Sequence, residues 1–560
     1  MRMKPFRQSL TAVILFAFVC MIGMGTHAAA QVPGKNWQQY KTPEDAGFSS
    51  QKLAEIKKLY DNSGVAAVLI VYDGKVVASW GDVTRRYFCH SMRKSFMSAL
   101  YGIHAAKGTI DLNKTLEELN IDDKTPLTKD EKQAIVKDLL KSRSGVYLET
   151  AAETQQMKDT RPARGSHPHN TFWYYNNWDF NVLGTILKQA TGISTVENFK
   201  KNIADPIQME DFRLIDSWDY WDPASIHPAY GFRVSARDAA RFGLLYLRKG
   251  KWNDNQLIPT DWINESMVPY SETPRPNTGY GYLWWIDKSF NDVGGMVAAL
   301  GVGNQVIAVL PGANMVVVQR VDTYNGKMAP NNFDLIRKIL NAKISAPKVN
   351  PQFMPLQNTP SVKCPPLITL QPSVLNKYMK DYVLGDIKGS IKKLNGLLVL
   401  QSSDYDLLHL LPVSKKLFFG EDLGRWILFE LDKKGTPIGL TIHPSIAIAN
   451  FYEDILANGV DSAIEKYKAK QNVTFRESDV DELGDLFVTL KKEKEALEIF
   501  RLNSELNPRS PMACYKLVKA LLKNGGKQEA LFNLQKIMAL KPLLKEVEEL
   551  LQKSREEQKK

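Results

Sequence analysis

His90-Ser91-Met92-Arg93-Lys94-Ser95-Phe96-Met97-Ser98-Ala99-Leu100-Tyr101-Gly102-Ile103 sets a serine at the head of a helical pattern. Met92, Phe96, Leu100 and Ile103 recur at i, i+4, i+8 and i+11, which predicts a helix with an apolar stripe. Gly108 follows as a helix-ending residue. Residues three apart share a helix face, so Lys94 can reach back toward the Ser91 hydroxyl. Spare N–H groups and the partial positive charge of a helix start favour negative charge developing on a seryl adduct. Serine needs a neighbouring base, and lysine serves only where desolvation or nearby positive charge leaves it neutral.

Ser-x-x-Lys is weak alone, and it also occurs at Ser49–Lys52, Ser345–Lys348 and Ser390–Lys393. Lys348 follows Pro347 in a proline-rich stretch, Ser390–Lys393 reads as a turn before Asn395-Gly396, and Ser49–Lys52 starts a surface helix. Downstream, Trp173-Tyr174-Tyr175-Asn176-Asn177 holds two overlapping Tyr-x-Asn matches. With these residues the chain resembles the serine β-lactamase and penicillin-binding protein superfamily, nearest to class C β-lactamases and their esterase and peptidase relatives. That family has a helix glycine seven residues after the Asn. Gly184 stands so from Asn177, which favours Tyr175–Asn177 as the register, with Tyr174 the alternate.

The resemblance implies that Tyr175 shares the acid/base work with Lys94, and that Asn177 holds Lys94 and the substrate amide. Ile135–Leu140 with Ser144-Gly145, and Ser235-Ala236-Arg237-Asp238 leading into Ala240–Gly243, resemble two further family stretches. The third family motif, Lys-Thr-Gly or His-x-Gly, falls on Ala299-Leu300-Gly301, followed by Val302. Gly301 suits a backbone lying against substrate. The N–H groups of Ser91 and Val302 are the implied oxyanion hole. Ala299 stands where the family carries a cation that recognises a substrate carboxylate. That favours esters or amides lacking such a carboxylate over β-lactams and D-Ala-D-Ala peptides. His90 reads as a packed loop histidine or a tuner of the nucleophile. Arg93 either lowers the pKa of Lys94 or points to solvent. The tryptophans around the motifs read mainly as core.

Outward from this centre, Ser49-Ser50 caps a helix running to Tyr60. Ala66–Tyr72 and Val76–Trp80 are strands about an Asp73-Gly74 turn. Tyr282–Ile286, Gln305–Leu310 and Met315–Arg320 are strand-like, and Asn331–Leu340 is helical. Strands at both ends of a helical middle predict one α+β domain over residues 31–345, an antiparallel sheet flanked by helices plus an all-helical region. A proline-rich linker is expected over 346–370. A small β-rich domain is expected over 371–452, with strands near 397–400, 407–411, 416–419, 426–430 and 437–442. A helical tail is expected over 453–560. In the tail Leu483, Ala496 and Pro508 recur as Leu517, Ala530 and Pro542, 34 residues on, so it resembles tetratricopeptide repeats and offers a surface for a protein partner.

Residues 1–30 read as a secretory signal: Arg2, Lys4 and Arg7, an apolar run from Leu10 to Met24, then Ala28-Ala29-Ala30. Export to the periplasm or the extracellular space is expected, with no spanning segment after cleavage. Removing those thirty residues lowers the net charge from +12 to +9, scattered among acids, which favours a solvated mixed surface and an expectation of no nucleic-acid partner. Cys89, Cys364 and Cys514 are too far apart for a metal pattern, and no histidine pair has metal-ligand spacing, so neither metal nor cofactor is implied. The leading expectation is a serine hydrolase working through a seryl acyl-enzyme on a small-molecule or peptide ester or amide. A penicillin-binding D,D-peptidase or β-lactamase, and a catalytically silent binding protein acting through its tail, remain open.

Overall fold

The structure, a computed structural model, describes residues 32–540 except 62, 330–331, 359, 385–386, 395, 403–406 and 470–474. The expected signal, Asn331, the Asn395 turn, Pro542 and the end of the tail lie outside the described residues. The chain forms two compact units that meet between Ser361 and Val362.

In the first unit the strands are β1 (Gln38–Tyr40), β2 (Val65–Tyr72), β3 (Lys75–Gly81), β4 (Tyr87–Phe88), β5 (Ser217–Tyr220), β6 (Ala229–Val234), β7 (Lys251–Trp252) and β8 (Asn255–Gln256). They continue with β9 (Ser271–Glu272), β10 (Thr278–Tyr280), β11 (Trp285–Asp287), β12 (Met296–Gly301), β13 (Gln305–Leu310), β14 (Met315–Val321) and β15 (Phe353–Pro355). Ten of them make one sheet in the order β15-β1-β3-β2-β14-β13-β12-β11-β10-β9. The two ends of this unit therefore share a sheet, as the sequence predicts. Every pair is antiparallel except β1 with β3, which run parallel at Gln39↔Val76. Asp73 (φ 46°) and Gly74 (φ 74°) make the β2–β3 hairpin turn, both left-handed as a tight hairpin requires. β2, β13 and β14 are near-continuous runs of Val, Ile, Leu and Ala because the sheet is covered on both faces.

Two expectations need correction here. Phe353–Pro355 is not linker but an edge strand, its register fixed by Gln38↔Pro355. Tyr282–Ile286 is strand only from Trp285 onward. Leu283 has φ 62° and its N–H donates to the carbonyls of Leu140 and Gly281, so the chain turns there instead of extending.

The helix Arg93–Ala106 is buried on every side from Arg93 to His104, a wider burial than the apolar stripe implied. It crosses the middle of the domain, packed by Phe199, Phe232 and Phe242 around Phe96. Gly102 admits the Trp262 indole, where a β-carbon would come within 2.3 Å of the ring.

The second unit opens with a meander of β16 (Asp381–Leu384), β17 (Ile387–Leu394), β18 (Leu397–Ser402), β19 (Leu407–Pro412), β20 (Leu417–Gly420), β21 (Arg425–Leu431) and β22 (Pro437–His443). β22 also lies against β16, curling the sheet on itself. Ser390–Lys393 lies within strand β17 and is not a turn, because alternation buries Ile391 against the sheet's core. Helices Ile446–Asn458, Val460–Lys468, Glu477–Thr489, Glu493–Leu506, Pro511–Lys523 and Lys527–Leu540 follow, sharing one apolar core with Leu428 of β21. Leu483 and Leu517, and Ala496 and Ala530, the 34-residue equivalents, are all buried in it. Among the described residues no helix is long and apolar enough to cross a membrane.

Candidate active site

Ser91 sits in a single 3-10 turn, His90–Met92, which runs straight into helix Arg93–Ala106. His90 holds φ 48°, a left-handed conformation that costs a side-chain-bearing residue on the order of 1 kcal/mol and turns the next residue outward. Ser91 is partly exposed while Lys94, one turn on, is buried. Lys94 Nζ lies 2.9 Å from Ser91 Oγ and 2.8 Å from Tyr175 Oη. It also stands 4.3 Å from the centroid of the Tyr175 ring and 4.6 Å from that of Phe180.

Burial pushes Lys94 well below the ordinary lysine range, and the Arg93 guanidinium adds to the push. Arg93 is itself buried, donating to the His90 carbonyl at 3.1 Å and lying over the Tyr230 ring, so it does not point to solvent. Burial raises Tyr175, against a hydrogen bond with Ser91 and the charges of Arg93 and Arg275. Both directions favour the neutral forms, an amine facing a phenol. Burial, with Arg93, Arg320 and Lys94 adding, lowers His90 to about 3, and its Nε2 is 2.8 Å from Thr323 Oγ1. His90 is thus a neutral packed residue.

The two Tyr-x-Asn registers separate by direction. Tyr174 Oη donates to the Met157 carbonyl at 2.6 Å, whereas Tyr175 Oη meets Lys94. Ser142 clamps this segment: its hydroxyl donates to the Tyr174 carbonyl and accepts from the Asn176 N–H at 3.0 Å. Asn176 caps helix Asn177–Thr191 and donates to the Val146 carbonyl at 2.7 Å. Asp179, fully buried and pushed well above the carboxylate range by desolvation, bonds Ser144 and Asn176. The Ser144-Gly145 stretch therefore acts as the scaffold of Tyr175.

Asn177 departs from its expected part. Its Nδ2 donates to the Ala152 carbonyl and its Oδ1 is buried without a hydrogen-bond partner, so it does not hold Lys94. Ala152, at φ 65°, turns that carbonyl onto the helix start.

β12 brings the third motif alongside. A β-carbon on Gly301 would come within 2.4 Å of the Cys89 carbonyl oxygen and 3.3 Å of His90 Cβ, so the strand end lies flush against the Ser91 turn. Val302 is exposed beside it and Ala299 is fully packed. Arg320 on β14, 0% exposed, bonds the carbonyls of Tyr87 and Phe88 and Gln305 Oε1, fixing the approach to Ser91. Ser95 Oγ donates to the Leu283 carbonyl at 2.8 Å, fixing the helix from the other side. Sequence reasoning missed Ser142, Asp179, Leu283 and Arg320. An arginine inside the run Met315–Val321 was the one available signal, since an unpaired charge does not belong in a buried strand.

Ser235-Ala236-Arg237-Asp238 is structural. Ser235 caps helix Ala236–Leu247, Asp238 accepts from the N–H groups of Glu210, Asp211 and Phe212, and Arg237 pairs with Asp211. His169, in the 145–172 loop, pairs with Asp138 at 3.0 Å. Spacing suggested no metal set, yet His409, Glu421 and Asp422 of the second unit bring ligand atoms within 4.8 Å of one another.

The Beta-lactamase family profile matches residues 53–340. No curated protein matches the chain. Among solved structures it is similar to a candidate 6-aminohexanoate-dimer hydrolase from Bacillus anthracis, at 20% identity over 54% of this chain and 88% of that one, TM-score 0.41. It is also similar to the octameric penicillin-binding protein homologue from Pyrococcus abyssi, at 16% identity over 68% and 93%, TM-score 0.40. A penicillin binding protein from Bacillus halodurans shows 16% identity over 51% and 98%, TM-score 0.39.

Proposed function

Since the chain belongs to the beta-lactamase family, we propose that it is an exported serine hydrolase that cleaves an ester or amide through a seryl acyl-enzyme. The observation that carries this reading is the contact of Lys94 Nζ with both Ser91 Oγ and Tyr175 Oη in a buried setting that favours the neutral amine. Neutral Lys94 takes the proton as Ser91 Oγ bonds to the substrate carbonyl carbon. The resulting oxyanion accepts from the N–H groups of Ser91 and Val302. Tyr175, a phenol at neutral pH, passes a proton to the departing alcohol or amine as the acyl bond breaks, and is reprotonated from Lys94. Water then attacks the ester with Lys94 and Tyr175 as its base, returning Ser91. The packed methyl of Ala299 offers no cation to a carboxylate lying along β12.

The test is fluorophosphonate labelling of the full chain read by intact mass. One adduct on Ser91, absent from Ser91→Ala, supports the acyl-enzyme; no adduct on a folded wild type refutes it. Export rests on residues 1–30, and fractionation that leaves the full-length chain in the cytoplasm removes it. A partner for the helical tail rests on the 34-residue recurrence.

A further inference from the structure

Arg275 lies at the tip of the β9–β10 hairpin and is exposed. Its guanidinium stands 4.6 Å from the centroid of the Trp285 ring. Trp285 is nearly buried, and its ring centroid is 5.4 Å from that of Tyr175. β10 and β11 fix this arrangement by pairing Tyr280 with Trp285, and Tyr280 meets the Trp285 ring edge-on at 5.1 Å. The two distances put the guanidinium within about 10 Å of the Tyr175 ring, about one Debye length at moderate salt.

The side chain is held by its stacking alone. Among the described residues its guanidinium makes neither an ion pair nor a hydrogen bond, and its backbone serves only the turn, donating to Thr273 Oγ1 and accepting from Thr278. Other arginines of this unit are spoken for: Arg143 donates to Tyr270 and Asn170, Arg320 to Tyr87 and Phe88, and Arg237 pairs with Asp211. A guanidinium stacked on an aromatic face loses little freedom when its planar fork receives a carboxylate, and two parallel N–H bonds suit that anion. Its field also reaches the site, acting against the burial that raises Tyr175.

We infer that Arg275 is a specificity residue, and that the substrate carries a carboxylate on the side of the scissile bond facing Tyr175 and Trp285. The inference rests on the acyl-enzyme reading and narrows its substrate class to anionic esters or amides. The anion lies on the β10–β11 side of the site; at the opposite strand, β12, Ala299 supplies no cation. A charge-assisted, two-pronged pair at this exposed guanidinium is worth up to about tenfold in kcat/KM.

The experiment compares two matched pairs of aryl esters on the full chain. In one pair the leaving group is 4-carboxyphenyl or 4-carbamoylphenyl; in the other the acyl chain ends in a carboxylate or a carboxamide. Wild type should prefer the carboxylate member of at least one pair. In Arg275→Glu the carboxylate-to-carboxamide ratio of kcat/KM should fall at least tenfold, and Arg275→Lys should recover part of it. Raising the salt should shrink the wild-type ratio and not that of Arg275→Glu. Equal ratios in wild type and Arg275→Glu, with Ser91 still labelled by a fluorophosphonate, overturn this inference alone. Absence of labelling in a folded wild type overturns the acyl-enzyme reading, and this inference with it.

Discussion

Replacing Lys94 by Met separates its chemistry from its burial. The amine is enclosed by Ser91, Tyr175 and Phe180, and its pKa is lowered chiefly by desolvation. The folded protein then holds Lys94 neutral in a window where the unfolded chain carries the proton, between the folded-state pKa and about 10.4. There the unfolded state binds one more proton, so stability rises with pH by about 1.4 kcal/mol per unit from this group. Its contribution is complete above the unfolded pKa and is lost as pH falls toward the folded one. Lys94→Met has no such proton. The difference in unfolding free energy, wild type minus variant, should therefore rise with pH, by up to about that slope, through the window that ends at about 10.4. Meanwhile kcat/KM should drop by about 10²–10⁴ with the loss of the base. Urea unfolding read by tryptophan fluorescence suits the measurement, since every tryptophan but Trp426 precedes Val362 and so reports the first unit. A pH-independent difference would refute the claim that Lys94 is neutral in the fold, and the direct proton transfer from Ser91 with it.

Tyr175→Phe should lower kcat/KM about 10²–10⁴-fold. Tyr174→Phe loses only a hydrogen bond to Met157, about 1 kcal/mol of stability, with activity within threefold; equal losses would show the register to be wrong. Gly301→Ala should push the strand end from Cys89, costing about 1–3 kcal/mol and slowing fluorophosphonate labelling of Ser91 at least tenfold; unchanged labelling would count against β12 as a wall of the site. Burial raises Asp179, so between about 3.9 and the folded pKa it keeps a proton that the unfolded chain has lost, and stability erodes as pH rises through that window. Asp179→Asn should remove that erosion, and stability curves at pH 5 and 7 that stay parallel for the two proteins would refute it.

Much of the site was written in local spacing. Ser91 and Lys94 stand three residues apart across the 3-10 turn that leads into the helix, and that spacing sets them on one face. Asp73-Gly74 between two apolar runs specifies a hairpin for the same reason, because both residues tolerate the left-handed backbone the turn needs. The distance from Asn177 to Gly184 pointed to Tyr175, and the structure places that hydroxyl on Lys94. The ends of the domain were legible because runs such as Val65–Tyr72 and Met315–Val321 bury on both faces and fit only the interior of a covered sheet.

What tertiary structure decided is what depends on groups far apart in the chain. The sequence could not say that Arg93 turns inward over Tyr230, that Asn177 gives its amide to Ala152, or that Leu283 halts a strand to meet the helix of Ser91. It did not reveal that Phe353–Pro355 closes the sheet edge on β1, since three residues carry no periodicity of their own. Nor could it set Arg275 beside Trp285, ten residues on but across a hairpin from it. Local spacing supplied the Ser91 and Lys94 pair, because the geometry of a helical turn is fixed by the backbone. The lowered lysine, the aimed tyrosine and the guanidinium over Trp285 came from packing, because desolvation and charge act through space.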